Sequence, residues 1–214
     1  MMKKQYAVFG LGSFGKSVAI ALQDLGCEVI AVDDNMERIE DIANSVSYAM
    51  KADFGDPDVI RSLGTRNLDG VVVAVADNME SSIMATLVCK EIGVPYVIAK
   101  AKNDLHATVL RKIGADAVIF PEKEMGKRLA KNLMSANFAD WIALSPDYSL
   151  VETVIPKNWI GKSLEELDVR KKYGINVVGI KVGEAVEVNL DPKKSLEDGI
   201  VMILVGANEA LEKI

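Results

Sequence analysis

The glycine-rich segment at residues 10–15 (GLGSFG) is the feature that most constrains how this chain folds. It follows a short apolar run at residues 6–9 and opens a helical pattern that extends to Leu25. A second apolar run ends at Asp33, eighteen residues after Gly15. A G-x-G-x-x-G segment between a strand and a helix, with an acidic residue closing the next strand, is typical of a dinucleotide-binding fold.

Each glycine of this segment has a separate physical role. Gly10 permits the tight turn out of the strand, Gly12 lets a diphosphate approach the backbone, and Gly15 lets the helix pack close to the strand. The start of the helix offers unpaired N–H groups and the positive end of its dipole to phosphates. Asp33 can accept hydrogen bonds from the hydroxyl groups of an adenosine ribose. The alternative is a glycine turn in an α/β fold that binds no ligand.

Strand and helix signals alternate through the first part of the chain. The predicted strands are 5–9, 28–33, 47–51, 70–76, 96–100 and 117–120, and the predicted helices are 14–25, 36–45, one beginning after Asp56-Pro57, 78–92 and 104–113. This order predicts an α/β fold with a Rossmann-like, doubly wound parallel sheet. Ligands bind such sheets outside the carboxyl ends of the strands. Those ends carry residues 10–15, Asp33, Asp53, residues 76–77 and Lys100, so we expect them around one crevice.

An amphipathic helix is predicted at residues 122–137, after the last strand of the sheet. Met125, Leu129 and Leu133 form an apolar stripe along it. The helix either leaves the domain as a crossover that carries a partner interface or packs on its own sheet. From Trp141 onward the pattern changes to short strands at 149–155, 175–182, 185–190 and 199–205, with short helices at 163–167 and 208–213. We therefore predict a nucleotide-binding domain with its crossover helix at 1–140 and a small α+β domain at 141–214.

Composition narrows the function classes. The net charge of −6 and pI near 5.0 argue against a nucleic-acid partner. Cys27 and Cys89 lack metal-ligand spacing and fit a reducing cytosol. The sequence shows neither a signal peptide nor an apolar run near the ~20 residues of a membrane span, so we expect a soluble cytoplasmic protein.

His106 is the only histidine, and no Tyr-x-x-x-Lys pair is present. A complete nucleotide site without an evident catalytic set favours a sensor over an enzyme.

Four residues have two interpretations each. Asp53 either accepts from an adenine amino group or caps a helix. Lys100 either meets a phosphate or ribose or is simply solvated. His106 either reaches the crevice or lies on the surface or in a cap. Glu122 either stabilises the start of its helix or makes a metal-linked or phosphate-linked contact across a dimer.

Several motifs together resemble one family. They are YAVFGLGSFG at 6–15, LGTRN at 63–67, VIAKAKN at 97–103, KIGAD at 112–116, PEKEMG at 121–126 and LDVRKKYGIN at 167–176. The chain resembles the cytosolic regulatory subunits of the Ktr/Trk potassium-uptake systems, which are built from RCK domains (regulators of potassium conductance). The resemblance spans nearly the whole chain.

The resemblance implies dimers that assemble into an octameric ring on the cytoplasmic face of a membrane potassium-translocating subunit. Exchange of ATP for ADP, or binding of NAD(H), would gate that partner, and a divalent or sodium ion could bind near Glu122 at the dimer interface. Asp33 would hold the ribose, Asp53 and Phe54 would flank the adenine, and His106 would contact the nucleotide. The implied nucleotide contacts are Gly10, Gly12, Ser13, Phe14, Gly15, Asp33, Asp34, Asn35, Asp53, Phe54, Val75, Ala76, Asp77, Lys100, His106 and Glu122.

One position departs from the family pattern. Ktr subunits commonly carry arginine where this chain has Ser13, and that arginine reaches a terminal phosphate of the neighbouring subunit. Serine brings no charge, and a charge-assisted hydrogen bond is about twice as strong as a neutral one. NAD(H), AMP or ADP therefore becomes a better candidate ligand than ATP.

The resemblance also suggests a second ligand, cyclic di-AMP, in the C-terminal domain. Arg170, Ile175, Asn176 and Pro192 stand near the matching positions. The alternative, which we favour, is that Arg170 is an ordinary surface charge and Ile175 is part of a strand core.

For the whole chain the competing functions are a small NAD-dependent oxidoreductase and a redox-sensing regulator of transcription. The acidic balance and the lack of a helix-turn-helix count against the regulator of transcription.

Overall fold

The computed structural model describes residues 3–62, 68–134, 138–183 and 185–214. The chain divides into two compact units, Met1–Glu122 and Lys123–Ile214. No helix within these described ranges is both long and apolar enough to cross a membrane. The LGTRN motif at 63–67 and the last residues of the predicted amphipathic helix, 135–137, lie outside them.

The first unit is built on a six-stranded parallel sheet with strand order β3-β2-β1-β4-β5-β6. Its strands are β1 (Gln5–Phe9), β2 (Glu28–Asp33), β3 (Tyr48–Lys51), β4 (Gly70–Val73), β5 (Val97–Lys100) and β6 (Ala117–Ile119). Its helices are α1 (Ser13–Asp24), α2 (Met36–Ile42), α3 (Pro57–Ser62), α4 (Met79–Glu91) and α5 (Asp104–Lys112). The predicted doubly wound sheet is confirmed, and the order reverses between β1 and β4.

Burial and capping explain why these segments adopt their structures. All four residues of β4 are buried, as expected of a central parallel strand covered on both faces. Asn35, Asn78 and Asn103 cap α2, α4 and α5, each side-chain oxygen accepting a backbone N–H of the first turn. Apolar side chains on the two faces of the sheet form two separate clusters of buried residues. The core therefore holds the carboxyl ends of β1 and β4 side by side.

The second unit contains a five-stranded antiparallel sheet with strand order β10-β9-β11-β8-β7. Its elements are α6 (Pro121–Met134, which begins in the first unit), β7 (Phe138–Ala143), β8 (Tyr148–Val154), a 3-10 turn (Lys157–Trp159), α7 (Leu164–Leu167), α8 (Val169–Tyr173), β9 (Asn176–Val182), β10 (Ala185–Glu187), β11 (Val201–Ala207) and α9 (Asn208–Leu211). The buried tryptophans Trp141 and Trp159 belong to its core.

Strand β7 was not predicted, and the predicted boundary after residue 140 falls inside it. Arg128 forms a two-pronged ion pair with Asp140, and Lys131 lies 4.9 Å from the ring centroid of Trp141. The Trp141 indole N–H donates to Ser149 of β8 at 2.8 Å. These contacts make α6 and β7 part of the second compact unit, although the sequence grouped the helix with the first domain.

The apolar stripe of α6 is exposed. Met125, Leu129 and Leu133 have 60%, 56% and 78% of their surface accessible. In the sequence, this stripe was compatible either with packing on the helix's own sheet or with an interface to a partner. Within the second unit these three side chains are mostly uncovered.

Candidate functional site

A crevice of about 490 Å³ lies at the carboxyl ends of β1 and β4. It is lined by Gly10, Gly12, Ser13, Phe14, Gly15, Asp33, Asp34, Arg38, Phe54, Ala74, Val75, Ala76, Asp77, Asn78, Ser81, Lys100 and Glu122. All of these residues belong to the first compact unit. The crevice is at the point where strand order reverses, which is where open α/β sheets bind their ligands.

The three glycines of the loop meet different surroundings. Gly10 has φ +89°, a left-handed conformation that favours glycine. A Cβ added at Gly15 would lie 1.9 Å from the carbonyl oxygen of Gly10, so the helix could not pack this close with any side chain there. A Cβ added at Gly12 would meet no atom within 4 Å. The space beside Gly12 is therefore open, and the approach of a diphosphate to this residue stays a prediction.

Asp33 is 1% exposed and holds the loop in place. Its Oδ2 accepts the backbone N–H of Leu11 at 2.6 Å and lies 3.3 Å from a guanidinium nitrogen of Arg38, while Oδ1 accepts the N–H of Asn35 at 2.9 Å. Burial alone would raise the pKa of Asp33, but these hydrogen bonds and the Arg38 charge together hold it below its usual value. The carboxylate is thus charged at neutral pH and anchors the glycine loop to the end of β2.

Lys100 and Glu122 meet at the edge of the crevice. The Lys100 ammonium forms an ion pair with Glu122 and lies 5.9 Å from the ring centroid of Phe14, the second residue of α1. The hydrogen bond from Lys100 lowers the pKa of Glu122. A positive charge therefore lies next to the N-terminus of α1, where a phosphate would bind.

Thirteen of the sixteen predicted nucleotide contacts line this crevice, and three do not. Asn35 caps α2. Asp53 uses Oδ1 to accept the N–H of Gly55 at 2.8 Å, which closes a local turn; the side chain that accepts an N–H at the start of α3 is that of Asp56, so Asp53 is not the helix cap of its alternative interpretation. His106 is fully buried, its Nδ1 accepts the N–H of Lys102 at 3.3 Å, and its Nε2 has no partner among the described residues. Burial lowers the pKa of His106.

Four lining residues were missed by the sequence analysis: Arg38, Ala74, Asn78 and Ser81. Arg38 is the third residue of α2 and stands five residues after Asp33. The turn between β2 and α2 and the first turn of the helix bring its guanidinium back to the Asp33 carboxylate. Asn78 was predicted as the first residue of the helix at 78–92, whereas it caps α4, and its side chain accepts the N–H of Ser81 at 3.1 Å. The cap signal for α4 could have placed both at the crevice, since α4 follows β4.

The second unit brings three of the four C-terminal candidates together. Arg170, Ile175 and Asn176 line a shallow cavity of about 180 Å³, and Pro192 is not among its lining residues. Ile175 is fully buried in the core of this unit, while Arg170 is exposed. Pro192 accepts the backbone N–H of Glu165 through its carbonyl oxygen at 2.9 Å.

The crevice holds groups suited to binding. Backbone N–H groups at the start of α1 and the Lys100 ammonium suit phosphates, and carboxylates suit hydroxyl groups.

In the described ranges no cluster of three or more His, Cys, Asp or Glu side chains could hold a metal ion. Burial raises the pKa of the Cys89 thiol to about 12, so this cysteine is unreactive at neutral pH.

Comparison with known proteins assigns the family. The TrkA-N domain matches residues 6–121. The Ktr system potassium uptake protein C of Bacillus subtilis (strain 168) is 43% identical over 96% of this chain and 93% of its own length, and the Ktr system potassium uptake protein A of the same organism is 36% identical over 98% and 95%. The GsuK channel bound to NAD has the same fold, with a TM-score of 0.68 and 14% identity over 98% of this chain, which spans only 38% of that channel chain. Since the TrkA-N domain spans more than half of the sequence and the two Ktr proteins match nearly all of it, the chain belongs to the TrkA-N family, among the Ktr potassium uptake proteins.

Proposed function

We propose that this protein is a nucleotide-sensing regulatory subunit that gates a membrane potassium-translocating partner without catalytic turnover. The observation that carries the proposal is the crevice at the end of β1, open beside Gly12 and anchored by the charged, buried Asp33. The names of the related Ktr proteins connect the family with potassium uptake. The proposed function combines nucleotide binding in this crevice with the potassium uptake that the names of these relatives indicate.

We infer that the ligand is an adenine nucleotide, with ADP, AMP or NAD(H) preferred over ATP. Ser13 lies exposed at the first position of α1 and lines the crevice, so it can donate to a phosphate oxygen but adds no charge. The ribose would lie near Asp33, although both oxygens of that carboxylate already accept hydrogen bonds from the protein. Asp34, which is exposed beside it, is therefore the second candidate for a ribose hydroxyl.

We also propose a homodimer that assembles into an octameric ring, peripheral on the inner face of the membrane. The exposed stripe of Met125, Leu129 and Leu133 supports a helix-mediated contact, because a monomer seldom leaves such a row uncovered. Glu122, exposed at the start of the same helix, would hold a divalent or sodium ion between the two copies.

Cyclic di-AMP binding in the second unit stays a prediction. Arg170 is available to meet a phosphate, and Asn176 shares its cavity. Ile175 is fully buried, as its alternative role in the strand core requires, so it could contribute only if the cavity opened.

Calorimetry on the full chain tests the proposed function, with ADP, ATP and NADH as titrants and native mass measured in parallel. We expect saturable binding and a particle larger than a monomer. Binding of none of these titrants would overturn the sensing role. Turnover of a hydroxy substrate with NAD would instead favour a small oxidoreductase.

A further inference from the structure

The second unit contains another cavity, which the proposed function does not use. It has a volume of about 280 Å³ and is formed by the 3-10 turn, α7, α8 and the segment between them. It shares no lining residue with the cavity that contains Arg170. Small-molecule sites usually span ~300–1,000 Å³, so this cavity suits a small ligand. Its lining residues are Asn158, Trp159, Lys162, Glu166, Leu167, Lys172 and Tyr173.

The two tryptophans of the chain differ in how their indole N–H groups are used. Both are buried, with 4% of Trp141 and 3% of Trp159 exposed. The indole N–H of Trp141 donates to Ser149 at 2.8 Å. In the part of the chain that the structure describes, no group accepts the indole N–H of Trp159, yet this nitrogen is not one of the fully enclosed atoms without a partner. Because buried indole N–H groups usually have an acceptor and Trp159 lines the cavity, this donor is available to a ligand there.

Two ammonium groups belong to the same lining. Lys162 and Lys172 are exposed, and neither forms an ion pair with a carboxylate of the described residues. Lys172 is held in position because its Nζ donates to the carbonyl oxygen of Glu166 at 3.3 Å. The chain as a whole has a net charge of −6, so two cations without carboxylate partners at one cavity depart from its general character.

The acidic lining residue, Glu166, is engaged by the start of α7. Its Oε2 accepts the backbone N–H of Ser163 at 2.8 Å and the Ser163 hydroxyl at 3.1 Å, as part of a capping box. These hydrogen bonds, with a smaller contribution from the Lys162 charge, lower the pKa of Glu166. The carboxylate is therefore ionised and occupied by the helix cap, and the lining keeps an excess of positive charge.

We propose that this cavity binds a small molecule that carries a phosphate group. A phosphate presents three acceptor oxygens and close to two negative charges, which match two ammonium groups and one indole N–H on different walls. A planar carboxylate has one charge and two oxygens, so it matches this set less well. Tyr173, whose ring centroid lies 5.7 Å from that of Trp159, is 36% exposed and offers an apolar surface to the organic part of the ligand. The site goes beyond the proposed function, because the nucleotide crevice belongs to the first unit.

Fluorine NMR of the full chain, labelled with fluorotryptophan and titrated with inorganic phosphate, tests this proposal. The chain has two tryptophans, so Trp159 reports on the cavity and Trp141 serves as an internal reference. The variant Trp141→Phe assigns the two resonances. We expect phosphate to shift the Trp159 resonance in a saturable manner, while chloride at equal ionic strength and acetate leave it in place.

Three lysine variants relate the shift to this cavity. Lys162→Gln and Lys172→Gln should each bind phosphate about two- to fivefold more weakly, the scale of a contact with an exposed ammonium. Lys171→Gln is the matched control and should equal wild type, because Lys171 is exposed on α8 but does not line the cavity.

Two results would overturn the proposal. One is a Trp159 resonance that moves no more with phosphate than with chloride or acetate. The other is a phosphate affinity that is the same in wild type, Lys162→Gln and Lys172→Gln, since phosphate bound in the nucleotide crevice would not depend on residues that this crevice lacks. Either result leaves the proposed nucleotide-sensing function as it stands.

Discussion

Replacing Gly12 by alanine separates ligand binding from folding more sharply than any other change in the glycine loop. Gly12 has φ −61° and ψ 178°, which any residue adopts, and an added Cβ meets no atom within 4 Å. The folded protein should lose at most ~1 kcal/mol, because alanine is a poorer helix N-cap than glycine. A bound diphosphate would, however, run directly against the new methyl group.

The expected effect on binding follows from the cost of overpacking. Forcing one extra methyl group into a filled site costs about 1–3 kcal/mol, which corresponds to about 5- to 150-fold weaker binding. Calorimetry with ADP measures the affinity, and thermal unfolding without ligand checks the fold. Wild-type affinity in Gly12→Ala would mean that phosphates do not pass over this residue, and the crevice would need another occupant or orientation.

Gly126→Ala is the matched control for this substitution. Gly126 lies in α6, and a Cβ added there also meets no atom within 4 Å. It is outside the crevice, so ADP affinity should not change. The free energy of unfolding should rise by about 0.5–1 kcal/mol, because alanine is favoured over glycine inside a helix.

Three further predictions address the loop and its anchor. Gly15→Ala should lower the free energy of unfolding by about 1–3 kcal/mol or more, seen by urea denaturation, because its Cβ would lie 1.9 Å from the Gly10 oxygen; an unchanged midpoint would contradict the packing described. Ser13→Arg should raise the ratio of ATP to ADP affinity, and equal ratios in calorimetry would show that residue 13 does not set the preference. The pKa of Asp33 lies below 3.8 in the folded protein, so its ionised form stabilises the fold above that pH and this contribution is lost as pH falls through the folded-state pKa. The stability difference between wild type and Asp33→Asn should therefore shrink in that acid range, and a constant difference would argue against the anchor.

Much of the site was predictable from local sequence. The glycine spacing, the acidic end of β2 and the apolar strand β4 each depend on residues close together in the chain. The crevice is lined by the glycine loop, by Asp33 and by the residues that follow β4. Asp33 was predicted as a ribose contact, but its first role in the fold is to accept the N–H of Leu11, 22 positions away. A motif indicates that a carboxylate is needed there without showing how many of its hydrogen bonds the protein already uses.

His106 and β7 show where local patterns were insufficient. His106 is in the first turn of α5, and its rotation into the core together with Ala107 and Leu110 depends on how the helix packs. A lone polar residue in a short helix does not reveal which face is buried. Strand β7 follows soon after a long helix. Its pairing with β8 is evident only in the tertiary structure, where the Trp141 indole N–H donates a hydrogen bond to Ser149.

The sequence by itself determined the periodicities, the turns and the caps, and therefore the doubly wound sheet and the glycine loop at its centre. These features depend on backbone preferences over a few residues, so they can be read without knowing what lies opposite. Only the tertiary structure decided that Lys100 pairs with Glu122 and that Arg38 meets Asp33. Such pairs depend on strand order and helix packing, which bring charges from separate elements within contact distance. The ion pair at the edge of the crevice is therefore a property of the fold, although both of its residues were candidates from the start.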